Sequence, residues 1–260
     1  MRKITLEHTD IFTSKVGFGT ASLHHILSSK TRKTLINSAI NSGITHFDTA
    51  VLYGNGIAEK ELGKVLDSCN REDLTISTKV GFHLNSFQRS FPYTSIIGRK
   101  IAGSFLKNNQ ISHSVNFTKK ISEINFHQSL KNLCTDYVDI LFIHEPYLDN
   151  NKVLIDLIPW LEKQKSLGKV RYLGLAGENL NRSSLFQHAP GIFSVLQTHI
   201  NNYSFYKNVS KPQIYYGIYS DKNLIQNNHD YHKVLNSQNQ MILYSSRKQE
   251  RVFEFCQNFQ

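Results

Sequence analysis

The stretch Gly43-Ile44-Thr45-His46-Phe47-Asp48-Thr49-Ala50-Val51-Leu52-Tyr53-Gly54 decides the architecture of this chain. Thr45–Thr49 is rich in β-branched and aromatic residues and reads as a short strand, while the glycines at 54 and 56 mark the turn that follows. Upstream, Thr31–Asn41 sets Leu35, Ile36, Ala39 and Ile40 on one helical face, and Gly43 supplies the stop. Downstream, Ala58–Leu66 carries a second apolar stripe. Helix, strand and helix in this order form one step of a βα repeat, which implies a parallel sheet. Asp48 and Tyr53 then fall at or just beyond the strand's C-terminal end.

The same alternation runs outward along the chain. Further strands are expected at Val16–Thr20, Leu74–Val80, Tyr137–His144, Val170–Ala176, Phe193–His199, Ile214–Ser220 and Met241–Ser245. With Thr45–Thr49 the total is eight, the number that closes a (β/α)8 TIM barrel. Thr118–Leu133 and Val153–Leu167 read as helices, the second ending at Gly168, and Ile4–Phe12 reads as a hairpin plugging the barrel bottom. Asparagines blur the helical period after the sixth and seventh strands. No Pro/Gly/Ser-rich linker interrupts the chain, so residues 1–260 are expected to form one α/β domain. The segment His83–Asn116 is long for a connection inside a compact domain, and such loops are often functional.

Composition narrows the function classes. The net charge of +10 is spread over helices and loops rather than gathered into a basic run, which argues for a solvated surface and against nucleic acid as a partner. No apolar stretch approaches the ~20 residues a membrane span needs, and the N-terminus has no apolar signal core. Cys69, Cys134 and Cys256 are scattered and odd in number, which suits a reducing cytoplasm. No metal constellation emerges, because His24 and His25 are adjacent rather than at ligand spacing; they are expected in the first βα loop.

Four polar residues end strands or follow them closely: Asp48, Tyr53, Lys79 in Ser77-Thr78-Lys79, and His144 in Leu141-Phe142-Ile143-His144. Strand C-termini of such a barrel converge on one face, so residues distant in sequence can meet there. Their types suit carbonyl reduction. A phenol is a poor acid at neutral pH. A neighbouring ammonium favours its ionisation, a carboxylate holds the ammonium, and a histidine can donate a hydrogen bond to the carbonyl oxygen. Singly, each residue has an ordinary structural reading as a strand cap, loop residue or ion pair.

Several ordered motifs resemble the aldo-keto reductase family. They are Val16-Gly17-Phe18-Gly19-Thr20-Ala21, the stretch Gly43–Gly54, Ser77-Thr78-Lys79, Ser129-Leu130 through Thr135-Asp136-Tyr137-Val138-Asp139 to His144, and Gly168-Lys169-Val170-Arg171-Tyr172-Leu173-Gly174-Leu175. The resemblance implies catalysis by Asp48, Tyr53, Lys79 and His144, with Tyr53 as proton donor, and a small carbonyl or alcohol, including a sugar, as substrate. It also implies NADP(H), with NAD(H) as the alternative, lying across the barrel mouth. Gly19, Thr20, Asp48, Gln197, Tyr219, Ser220, Ser246, Arg247 and Arg251 would be cofactor residues. Among these, Gln197 would hold the carboxamide, Tyr219 would stack on the nicotinamide, and Ser246 and Arg251 would bind the 2′-phosphate, a role that suits a guanidinium.

The chain also departs from the family pattern. Ala176-Gly177 stands where a Ser-Asn pair usually binds the carboxamide, leaving that contact to backbone groups or Asn179. Asp221 introduces a carboxylate near the expected pyrophosphate, with Lys222 beside it, and Phe255 replaces an amide that often reads the adenine. These departures favour the alternative, a cofactor-binding regulatory protein with little turnover. The chain stops soon after its last expected helix, so the substrate side is expected to be open. Phe82, Phe87, Arg89, Phe91, Tyr93, Arg99 and Lys100 would shape it.

Overall fold

The computed structural model describes residues 1–93, 114–147, 151–180, 185, 191–206, 212–217 and 229–259. The chain begins with an antiparallel pair, β1 (Lys3–Thr5) and β2 (Phe12–Ser14). Eight parallel strands follow: β3 (Val16–Gly19), β4 (His46–Asp48), β5 (Thr75–Val80), β8 (Val138–His144), β9 (Val170–Ala176), β10 (Val195–His199), β11 (Ile214–Tyr216) and β12 (Met241–Tyr244). They close into a barrel in chain order, with β12 hydrogen-bonded back to β3. A two-residue pair, β6 (Phe82–His83) with β7 (Ser114–Val115), closes the base of the long third excursion. The fold is therefore the (β/α)8 barrel the alternation implies, with its N-terminal hairpin.

Helices α1 (Ser29–Asn41), α2 (Ile57–Leu66), α4 (Lys119–Leu133) and α5 (Asn151–Ser166) lie within two residues of their expected bounds at either end; the short α3 (Ser86–Ser90) sits in the third excursion. Ser28 caps α1 by accepting the Thr31 N–H. The two blurred regions resolve differently. A 3₁₀ helix, Ile200–Tyr206, follows β10, whereas α6 (His229–Asn236) precedes β12. The last helix, α7 (Gln249–Gln257), packs on α1.

Side chains of the strands divide between two apolar regions, because successive strand residues point to opposite faces. Phe18, Phe47, Ile76, Leu141, Ile143, Leu173, Leu175 and Ile242 face the helices. Ile140, Phe142, Ala176, Val195, Ile214, Met241 and Leu243 fill the barrel interior, which Ile4, Leu6 and Ile11 of the hairpin seal from below. Two glycines make this filling possible. A methyl group on Gly174 would sit 2.5 Å from the Phe142 ring, and one on Gly17 would sit 2.7 Å from Leu243 and Met241.

The hairpin is stitched to the barrel by charge as well as by its apolar face. Arg171 bridges Asp139 at 2.7 Å and Asp10 at 2.6 Å, and the Asp10 N–H donates to the Tyr172 hydroxyl. Lys15, fully buried, donates from Nζ to the carbonyls of Val234, Ser237 and Gln240, each at 2.6 Å. One ammonium thus satisfies carbonyls at and beyond the C-terminus of α6, groups a helix end always leaves open. Among the described residues, no helix is long and apolar enough to cross a membrane.

Replacing Lys15 with methionine leaves those three carbonyls without their donor and should cost about 2–4 kcal/mol. A lowered urea midpoint at unchanged slope is the expected result, and an unchanged midpoint would show that water replaces the ammonium without loss.

Candidate active site

The parity that fills the barrel with apolar side chains also aims polar ones into its C-terminal half. His46 and Asp48 of β4, Ser77 and Lys79 of β5, His144 of β8 and Gln197 of β10 all occupy inward positions. Asp48 is their junction. Its Oδ2 accepts from Lys79 Nζ at 2.5 Å, and its Oδ1 accepts from Ser77 Oγ at 2.9 Å and Gln197 Nε2 at 3.1 Å. Lys79 also donates to the Thr49 carbonyl at 3.0 Å, and Asp48 and Lys79 are each only 3% exposed.

Tyr53 reaches this cluster from the glycine turn after β4, where Gly54, Asn55 and Gly56 all take positive φ. Such a left-handed run suits glycine and asparagine, which is why the turn has this sequence. The Tyr53 ring lies beside Lys79, whose Nζ is 4.8 Å from the ring centre. His144 meets the same ring edge-on, with centroids 6.3 Å apart, and Phe82 packs on its other side at 5.1 Å. All four expected residues therefore meet at one place.

Burial controls the protonation here. It lifts the Tyr53 pKa more than Lys79 lowers it, so the phenol is raised above its ordinary value and keeps its proton. The expected downward pull of the ammonium exists but loses to desolvation. Lys79 is pushed down by burial, yet Asp48 and Tyr53 together more than reverse this and hold it charged. His144 is lowered to about 3, by burial first and Lys79 second, so its imidazole is neutral. His46, one layer below, is lowered to about 4, chiefly by burial. Ser77 gives its only proton to Asp48, so the 3.2 Å contact with His46 Nε2 requires the Nε2–H tautomer.

These residues wall a cavity of about 510 Å³ at the C-terminal mouth, lined also by Gly19, Glu145, Ala176, Gly177, Tyr216, Gly217, Tyr244 and Ser245. Of the expected cofactor residues, Gly19, Asp48 and Gln197 line it. Thr20 does not: its hydroxyl is buried on the Asp48 carbonyl at 3.0 Å. Ser246 turns inward onto the Lys248 backbone, while Arg247 and Arg251 are exposed beyond Ser245. Tyr219, Ser220, Asp221 and Lys222 lie outside the described residues, as do Arg99 and Lys100. Phe255 is 3% exposed and stacks behind Tyr244 at 4.2 Å, so it supports the cavity wall from the core.

Sequence reasoning missed Glu145, Tyr216 and Tyr244. Tyr216 and Tyr244 sit at strand ends, a signal available beforehand; Glu145 was hidden beside the more conspicuous His144. Asn179 is not part of the cavity wall, and neither is His24, whose side chain packs against the backbone of Gly54 in the turn behind Tyr53. Above the site, α3 leads to Tyr93, whose hydroxyl accepts from buried Arg32 Nη1 at 2.6 Å. Arg32 also pairs with Glu61 and donates to the Ile26 and Leu27 carbonyls, so the start of the third excursion is anchored to α1. No group of metal-ligating side chains occurs among the described residues.

The profile of the Aldo/keto reductase family matches residues 15–225, and the chain belongs to that family. It is 29% identical over 164 residues to D-threo-aldose 1-dehydrogenase of a Pseudomonas species, covering 62% of this chain and 49% of that protein. It is 28% identical over 186 residues to L-galactose dehydrogenase of Arabidopsis thaliana, covering 68% and 50%. The chain thus spans about half the length of the curated relatives it matches. Among solved structures, an aldo-keto reductase from Bacillus halodurans in its holo form superposes with a TM-score of 0.69 at 18% identity, covering all of this chain and 91% of the other. Glycerol dehydrogenase from Gluconobacter oxydans gives 0.69 at 16%, covering 99% and 90%.

The depressed histidines set a pH dependence. The unfolded chain takes up protons near 6.5 that folded His46 refuses down to about 4, so stability is lost as pH falls through that window. Between about pH 7 and about pH 5 His46 should contribute a loss of roughly 2 kcal/mol, and His46→Gln should flatten the fall in denaturation midpoint. An equal slope in the variant would assign the acid sensitivity elsewhere.

Proposed function

We propose that the protein is an NADP(H)-dependent oxidoreductase that interconverts a small aldehyde or ketone and its alcohol at the cavity around Tyr53. The observation that carries this reading is the Asp48–Lys79 ion pair set against the Tyr53 phenol, with Nζ 4.8 Å from the ring centre and neutral His144 edge-on to the same ring. The cavity also fits the cofactor: Gly19 has no room for a side chain, since a Cβ would stand 2.5 Å from Ser245 Oγ, and bare backbone there admits a close-lying ligand. Gln197, oriented by its bond to Asp48, and Tyr216 supply an amide and an aromatic face in the same wall. Ser245 leads out of the cavity towards Arg247 and Arg251, two exposed guanidiniums suited to a 2′-phosphate.

The mechanism follows from the protonation states. A bound nicotinamide supplies hydride chemistry. Tyr53 holds a proton on its hydroxyl, and Lys79, kept charged by Asp48, stabilises the negative charge that grows there as the proton moves to a carbonyl oxygen. His144 is neutral and has one N–H with which to orient that oxygen. In the reverse direction the same phenol receives the alcohol's proton. The substrate class, a small carbonyl or polyol, accords with the names of the relatives, and three free cysteines accord with a reducing cytoplasm.

Tyr53→Phe should lower turnover at least about 100-fold with nearly unchanged cofactor affinity. Retained activity would remove Tyr53 as the acid. Arg251→Ala combined with Arg247→Ala should weaken NADPH about 10-fold while sparing NADH, measured by fluorescence titration. Equal effects on both cofactors would remove the 2′-phosphate assignment.

A further inference from the structure

The cavity wall between β8 and β9 lacks the side chains the family resemblance implies there. Ala176 has no polar atom to offer, and Gly177 has no side chain. The space is taken by Glu145. A Cβ on Gly177 would collide with its carboxylate, so glycine at 177 is what admits Glu145 to the cavity. Its placement is enforced. Glu145 takes φ +54°, its N–H donates to the Ala176 carbonyl at 2.7 Å, and its Oε2 accepts the Glu178 N–H at 3.2 Å. A left-handed conformation is unusual for glutamate and persists where surrounding contacts dictate it.

Among the described residues the carboxylate has acceptor capacity left. An ionised carboxyl can accept about four hydrogen bonds; the Glu178 N–H provides one, and the Tyr147 hydroxyl interacts with it as well. In the same wall, Gln197 has one Nε2 proton committed to Asp48, which fixes the orientation of its amide and leaves Oε1 as a further acceptor. The charged and titratable neighbours are Lys79 and Tyr53, Glu178 and Tyr147, and Tyr216. Burial, more than the Glu178 charge, raises the Glu145 pKa. Two acceptors in one wall match a ligand group with two N–H bonds on one nitrogen, as in a primary carboxamide.

We propose that Glu145 receives the carboxamide NH₂ of the nicotinamide, with Gln197 Oε1 sharing it, in place of the side chains missing at 176 and 177. This rests on the oxidoreductase reading above and assigns Glu145 as a cofactor-positioning residue. The contact selects for an amide nitrogen in particular. A cofactor whose carboxamide is replaced by an acetyl group has no N–H to donate there.

The test is fluorescence titration of the full chain with NADP⁺ and with its 3-acetylpyridine analogue, for wild type, Glu145→Ala, Glu145→Gln and Gly177→Ala, with near-UV circular dichroism as the check on folding. Wild type should prefer NADP⁺ about 10-fold, the effect of one charge-assisted hydrogen bond. Glu145→Ala should lose that preference by weakening NADP⁺ alone, Glu145→Gln should keep part of it, and Gly177→Ala should mimic the alanine variant by displacing the carboxylate. An unchanged preference in Glu145→Ala, or equal weakening of both ligands, overturns the inference while leaving the oxidoreductase reading intact. Folded wild type that binds neither ligand overturns that reading, and the inference with it.

Discussion

A carboxylate buried inside a barrel is tolerable only when every lone pair facing the protein is met, and Asp48 imposes that condition on its surroundings. Lys79, Ser77 and Gln197 each donate to it, from two further strands, β5 and β10. Removing any donor leaves charge or polarity unmatched at buried positions, so these strands are held in a common register by chemistry as well as by the sheet. Tyr53 depends on the arrangement in turn, because the ammonium beside its ring, Lys79, is held by Asp48.

The polar half of the interior is affordable because the other half is densely apolar. Phe142, Met241, Leu243, Ile140 and Ile214 fill the remaining sector, and the hairpin residues Ile4, Leu6 and Ile11 close the lower opening. Stability resides at the bottom of the barrel, where Arg71, Arg171, Asp139 and Asp10 connect the hairpin to the strand starts. Chemistry resides at the top. Turns there adopt positive φ at Gly54, Asn55, Gly56, Glu145 and Gly217, and these conformations aim side chains inward or clear backbone for a ligand.

Much of this was legible in advance because a parallel barrel writes itself as alternation. Thr45–Thr49, Tyr137–His144 and Val170–Ala176 are short segments rich in β-branched, aromatic or aliphatic residues, and α1, α2, α4 and α5 carry clear stripes. After β10 the pattern fails: Asn201 and Asn202 sit in a 3₁₀ helix, whose shorter period does not give an α-helical stripe. Asp48, Tyr53, Lys79 and His144 were visible because strand ends of this architecture share one face. Thr20 and Ser246 place their hydroxyls on the Asp48 and Lys248 carbonyls, contacts that residue type alone does not reveal.

The sequence by itself determined the repeat of strands and helices, the place of Asp48, Tyr53, Lys79 and His144 at or just beyond strand ends, and the reaction class their types permit. Those properties are periodic or local, so they survive being read in one dimension. Only the tertiary structure decided the protonation states, since desolvation outweighs the ammonium at Tyr53 and strips charge from His144. It also decided that Glu145 enters the cavity over Gly177, a contact between residues separated by a helix and a strand. Burial and contact across the barrel mouth depend on which strands become neighbours, and that is settled only when the sheet closes.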